Sequence, residues 1–140
     1  MNSNKLDARL ENDCHLLGRL SVSQLLLMNN AMVPWFILVP DTDEIEYYKL
    51  SDELQLALNA EINWLSEFIA AEYHPDKINV ASIGNVVKQL HVHIVGRAEN
   101  DYCWPGVVWG VKVDKPYDIA AVEHIKNQLV TRLDGLFQPC

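Results

Sequence analysis

Between Ser51 and Tyr73, Leu54, Leu58, Ile62, Leu65 and Ile69 recur three or four residues apart, and this stripe limits the possible architectures more than any other stretch. Such spacing puts all five side chains on one side of a helix about six turns long. Ser51 is placed to cap its start, Asp52 and Glu53 suit the positive end of its dipole, and His74-Pro75 ends it. A helix of that length with a single apolar side has to be covered by something broad, so the rest of the chain must supply a sheet.

The strands are legible on either side. Val22 to Met28 and Trp35 to Val39 are apolar runs too short for helices, joined through a turn at Asn29-Asn30 and closed by Pro40, which predicts a hairpin. Asn79 to Ile83 alternates as a third strand, and Gly84-Asn85 marks a turn into a fourth, Gln89 to Arg97. Before them, Leu6, Leu10, Cys14 and Leu17 keep helical spacing over Asp7 to Leu17, stopping near Gly18. After them, Asn100-Asp101 and Pro105-Gly106 break the chain, Val107 to Val113 reads as a short strand, and Tyr117 to Leu133 as a closing helix with Ile119, Val122, Ile125 and Leu129 inward. Helices at the start, middle and end, strands grouped between them and no regular βαβ alternation predict one α+β domain over residues 1–140.

Charge and cysteine content narrow the partners. A formal charge of −8 argues against a nucleic-acid partner, which wants a basic face, but leaves room for a small anionic substrate in a donor-rich pocket. Cys14, Cys103 and Cys140 are far apart and odd in number, which suits a reducing compartment. The first residues lack the apolar core of a signal peptide, and the run from Ala31 to Val39 is broken by Pro34 and too short for a bilayer, so a cytoplasmic protein without a membrane partner is expected. Asp41, Asp43, Glu44 and Glu46 fit no calcium-loop spacing and are expected to be plain surface charge.

The chemistry concentrates in the fourth strand. As a strand it sends Leu90, Val92 and Ile94 to one face, and Gln89, His91 and His93 to the other. Consecutive members of that row lie roughly 6–7 Å apart, and a row of imidazoles on an apolar strand needs polar company. His15, His74 and His124 stand in polar settings and are expected at the surface.

Asn79, Gly84-Asn85, the Gln89-x-His91-x-His93 row and Gly96-Arg97 together resemble the signature region of the histidine triad (HIT) superfamily of nucleotidyl hydrolases and transferases. The resemblance is strong over residues 79–97, fair over 22–97 and weak at the ends. It implies an antiparallel sheet with the long helix across one face. It implies that His91 is the nucleophile, forming a nucleotidyl-histidine intermediate at an α-phosphate, and that His93 donates to the phosphate oxygens. Asn85 falls on a phosphate-contacting amide, Asn29 or Asn30 on the position that bonds the ribose hydroxyls, and Gln89 adds a further substrate-binding amide. Leu27, Trp35 and Ile37 are candidates for the apolar cleft of a purine base or equally for plain core packing, and Arg97 for raising the local potential. Lys88, by alternation, faces away from His91.

Two departures stand out. Gln89 replaces the first histidine of the family's three and cannot exchange a proton, and Val86 removes a serine or threonine hydroxyl. The segment Tyr102 to Trp109 resembles one that follows the same Gln-x-His-x-His row in bacterial variants; it is placed on the leaving-group side or at a dimer contact, since many relatives are dimers, or its tryptophans are core plugs. The implied partner is a purine nucleotide or dinucleotide: a dinucleoside polyphosphate, a nucleoside phosphoramidate or an aminoacyl-adenylate. The implied chemistry needs no metal and no cofactor. Two rival readings are a nucleotide binder that does not turn over, and a cupin-like metal protein built on His-x-His and Glu99.

Overall fold

The computed structural model describes residues 5–140, so the reading of the first four residues as free of a signal sequence lies outside it. In chain order the elements are α1 (Ala8–Asp13), β1 (Cys14–Arg19), β2 (Ser23–Met28), β3 (Trp35–Pro40), a 3-10 turn at Tyr47–Lys49, α2 (Asp52–Tyr73), β4 (Lys77–Ala81), β5 (Val92–Arg97), α3 (Ile119–Arg132) and β6 (Gln138–Pro139). The six strands form one sheet in the order β4-β5-β3-β2-β1-β6, antiparallel at every pairing. Fold class and long helix match the expectation: α+β, with α2 lying on one face.

Helix α2 starts where the capping argument places it, with the Ser51 hydroxyl accepting from the Leu54 N–H at 3.1 Å. It ends at His74, which adopts a left-handed conformation immediately before Pro75. Leu58, Leu65, Phe68 and Ile69 on its inner side are buried against Leu25, Leu27, Phe36, Leu38, Val92 and Ile94 of the sheet. At roughly 1.5–3 kcal/mol for each fully buried large apolar side chain, that stripe is enough to dock the helix. A separate core on the opposite face gathers Leu10, Leu26, Val33, Trp35, Ile37, Val39, Val95 and Val108. The sheet is therefore covered on both sides, which is why β2 and β3 lost their alternation.

Four expectations are corrected. Helix α1 stops at Asp13, and residues 14–19 form β1 along β2. The helical spacing of Leu6, Leu10, Cys14 and Leu17 was outweighed by the ladder that β2 offers, and a bulge between Leu16 and Gly18 shifts the register. Gly18 is not a helix stop; β6 crosses it so closely that a Cβ there would lie 2.1 Å from the Gln138 carbonyl oxygen. No strand forms over Val107 to Val113, and Ile119 is 82% exposed rather than inward, because α3 presents Val122, Ile125 and Leu129 to the core.

Gly96 on β5 sits where α2 and the turn before β3 converge. A Cβ there would lie 2.8 Å from Pro34 Cγ and 2.9 Å from Ile69 Cγ2, neither of which is the end of a flexible chain. Gly96→Ala is therefore expected to lower unfolding stability by about 1–3 kcal/mol, read as a lower urea midpoint at unchanged slope. A midpoint equal to wild type would show that the two contacts yield without strain.

Candidate active site

The histidine row is only half strand. β4 ends at Ala81 and β5 begins at Val92, so residues 82–91 form a loop rather than a short turn between longer strands. Alternation holds from His91 onward: Val92 and Ile94 enter the helix-side core, and His93 projects to the other face. It fails upstream. Gln89 leaves the row, its Oε1 accepting from the Asp7 N–H at 2.7 Å and its Nε2 donating to the Lys5 carbonyl at 2.9 Å. Lys88, expected on the far side from His91, lines the same cavity as His91, because face assignments by alternation have no meaning in a loop.

Both rings are nearly buried, 5% exposed each, with centroids 4.9 Å apart and planes at 72°. Their backbone and side-chain partners fix opposite tautomers. His91 Nδ1 lies 2.6 Å from the Gln89 carbonyl oxygen, which can only accept, so Nδ1 carries the proton and Nε2 keeps the lone pair in the neutral ring. His93 Nδ1 lies 2.9 Å from Trp35 Nε1, which can only donate, so in His93 the proton is on Nε2. Burial, with the His91 ring beside it, pushes the His93 pKa down to about 3 and holds that ring neutral at ordinary pH. Trp35 and Trp109 meet the His93 ring edge-on at 5.8 and 5.3 Å and keep it from turning.

His91 lines one cavity, and Trp35, which donates to His93, lines another. The first, about 600 Å³, is lined by His91, Gln89, Lys88, Asn85, Ser82 and Glu46 among others. Asn85 and His91 thus line one cavity, together with Ser82, which had no sequence signal beyond being polar, and Glu46, which was expected to be plain surface charge. The second, about 820 Å³, is lined by Asn29, Asn30, Trp35, Met28 and residues 111–114. The two asparagines thus do not share the cavity of His91. Asn29 Oδ1 accepts from the Tyr117 N–H and meets His15 Nε2 at 3.1 Å, so His15 is a partly buried β1 residue and not a free surface histidine. Asn30 accepts from the Met32 N–H and donates to the Tyr102 hydroxyl. Of the proposed base cleft, Leu27 packs in the helix-side core and Ile37 is fully buried, and Trp35 alone reaches a cavity.

Arg97 does not raise the potential of either cavity. Its guanidinium is 2% exposed and is spent on Asp101, with the Asn79 side chain, the Gly106 carbonyl and the Cys103 sulfur completing its shell. Asp101 in turn accepts from the backbone N–H groups of Ala98, Cys103 and Trp104. This knot anchors the segment after β5, which carries Trp109 back over His93 and Trp35. Among the described residues there is no group of three His, Cys, Asp or Glu side chains able to hold a metal ion, and the cupin-like alternative fails on the fold, an open six-stranded sheet under a long helix. No described helix is long and apolar enough to cross a membrane.

The HIT domain family matches residues 9–100. No curated protein sequence matches the chain. Among solved structures, a histidine triad protein from Marinobacter aquaeolei VT8 is 40% identical with a TM-score of 0.88, covering 94% of this chain and 97% of its own. One from Bradyrhizobium japonicum is 36% identical with a TM-score of 0.87, covering 91% of this chain and 96% of its own. The diadenosine triphosphate hydrolase of Plasmodium falciparum shares the fold at 15% identity, with a TM-score of 0.60 and coverage of 94% and 88%. With the family matched across most of its length and two such structures alike from end to end, the chain belongs to the histidine triad family and carries a HIT domain.

Proposed function

We propose that this chain is a nucleotidyl hydrolase or transferase that works through a nucleotidyl-His91 intermediate. Members of its family are nucleotide hydrolases, nucleotidyl transferases or nucleotide binders, so the decision within the family falls on His91. The observation that supports catalysis is the opposed pair of Nδ1 partners, a carbonyl oxygen at His91 and an indole N–H at His93, which leaves one ring offering a lone pair and its neighbour a proton. An anion between them meets a nucleophile and a donor without any proton having to move first.

In the proposed reaction the His91 Nε2 lone pair attacks the α-phosphorus and the bond from phosphorus to the leaving group breaks. The developing charge on the non-bridging oxygens is met by His93 Nε2–H and the Asn85 amide. The leaving group departs with the bonding electron pair and takes its proton from water in the cavity that Lys88 also lines. Water or an acceptor hydroxyl then attacks the phosphorus and gives its proton to solvent, the bond from phosphorus to Nε2 breaks, and the nucleotide leaves with Nε2 recovering its lone pair. The nucleoside end is assigned to the second cavity, with Asn29 and Asn30 toward the ribose and Trp35 along the base. The substrate is a purine nucleotide joined to a leaving group, either a second nucleotide or an amine. A cytoplasmic location and a homodimer belong to the same proposal.

The test is to incubate the protein with labelled diadenosine polyphosphate and with adenosine phosphoramidate, quench, and map the label. The expected result is released AMP together with an acid-labile, base-stable adduct at His91. Tight binding of both compounds with neither AMP nor adduct would leave a nucleotide binder and overturn the catalytic reading.

A further inference from the structure

We propose that Gln89 is a positioning residue whose amide clasps the N-terminal arm and so holds the carbonyl that sets the tautomer of His91; the functional consequence rests on His91 being the nucleophile. The clasp is a two-point pairing. Oε1 accepts from the Asp7 N–H at 2.7 Å and Nε2 donates to the Lys5 carbonyl at 2.9 Å, the pattern by which one strand residue meets residues i and i+2 of its neighbour. Two residues further on, the Gln89 carbonyl receives His91 Nδ1–H at 2.6 Å. One residue therefore ties the arm with its side chain and orients the nucleophile with its backbone.

The loop around it needs such an anchor. Ser82, Gly84, Asn85, Val86 and Lys88 are all exposed, and loops with few buried contacts open readily. The arm adds one more tie, Arg9 Nη1 to the Val86 carbonyl at 3.0 Å. Only a side chain with a donor and an acceptor side by side can serve both backbone groups at once. A carboxylate has no donor for Lys5, and the two nitrogens of an imidazole diverge too widely to face one edge of a chain. That accounts for an amide at position 89, where the resemblance leads one to expect a histidine. Gln89 still lines the cavity of His91, and its amide oxygen and nitrogen are both engaged with the arm.

Three full-length variants, Gln89→Ala, Gln89→Glu and Gln89→His, and a wild-type chain lacking residues 1–7 test the idea. Imidazole ¹⁵N NMR reads the His91 tautomer directly, whether or not any substrate is turned over. Wild type is expected to show a single Nδ1–H form, and all four altered proteins a mixture of tautomers. With adenosine phosphoramidate as probe, kcat is expected to fall about tenfold or more while KM stays within about twofold, the split expected when orientation and not binding is lost. Gln89→Ala in the truncated chain should lose nothing further, since both changes break the same tie. A fixed Nδ1–H tautomer in Gln89→Ala and in the truncated chain would overturn the clasp as a positioning device. A rise in KM at unchanged kcat in Gln89→Ala would return the amide to substrate binding. Should wild type itself fail to turn over, the NMR comparison still decides the clasp while the catalytic reading falls by itself.

Discussion

His91→Ala is expected to reduce nucleotide release by roughly 10³-fold or more and to abolish the covalent adduct, while the protein stays folded and still binds nucleotide. The size of the effect follows from the arrangement of donors. Of the two buried rings, His93 commits Nδ1 to the Trp35 indole and carries its proton on Nε2, so it has no lone pair free to attack. Turning that ring around would strip Trp35 of its acceptor and push past Trp109. His93 therefore cannot substitute for the missing nucleophile, and the residual rate is that of an oriented substrate attacked directly by water. A His91→Gly variant sharpens the measurement, because added imidazole can occupy the vacated space and restore release without restoring a protein adduct. Turnover in His91→Ala within about tenfold of wild type would remove His91 from the mechanism. Since His93 is held down to about 3 by burial, its own titration is not expected to shape the rate profile between pH 5 and 8.

The sequence carried the frame well because the relevant signals were periodic and local. The stripe from Leu54 to Ile69, its Ser51 cap and its end at Pro75 require nothing outside α2 to be understood. The strands on either side of Asn29-Asn30 were equally clear. Trouble began where a short segment had two readings. Cys14 to Leu17 fits a helix by spacing and a strand by composition, and only the free edge of β2 decides. Gln89 to His91 alternates, yet the backbone there is a loop, so the Gln89 amide turns to the N-terminal arm and Lys88 lines the cavity of His91. The longest-range facts left no local trace. Gln89 bonds a chain segment more than eighty positions away, and Asn29 is held by Tyr117 from the far end of the sequence. Arg97, four positions after His93, was a candidate for raising the local potential. Its partner Asp101 lies four positions on, a spacing that also occurs by chance, and only burial distinguishes a structural ion pair from a pair of surface charges.

That pair carries the other large effect. Asp101→Ala is expected to destabilise the fold by about 3–5 kcal/mol, since it strands a guanidinium that is 2% exposed and releases three backbone N–H groups at the same time. Replacing both partners, as in Arg97→Leu with Asp101→Ala, is expected to cost less than the single change, because no unpaired charge is left behind. The pH dependence has a definite sign. Asp101 is depressed from 3.8 to about 2, mainly by its hydrogen bonds to Arg97, so its stabilising contribution is present above the unfolded-state value and fades as pH falls through about 2. His93 acts over a higher window. Its unfolded form gains a proton near 6.5 and its folded form only near 3, so the unfolded state binds more protons between those values, and stability declines by up to about 1.4 kcal/mol per pH unit as pH falls through them. Urea unfolding from pH 7 to pH 2 should therefore show wild type losing stability in two overlapping stages. Asp101→Ala should keep the upper stage and lose the lower one. A variant whose midpoint at pH 7 matches wild type would mean that the knot at Arg97 tolerates an unpaired charge, and the segment bearing Trp109 would then need some other anchor to stay seated on His93.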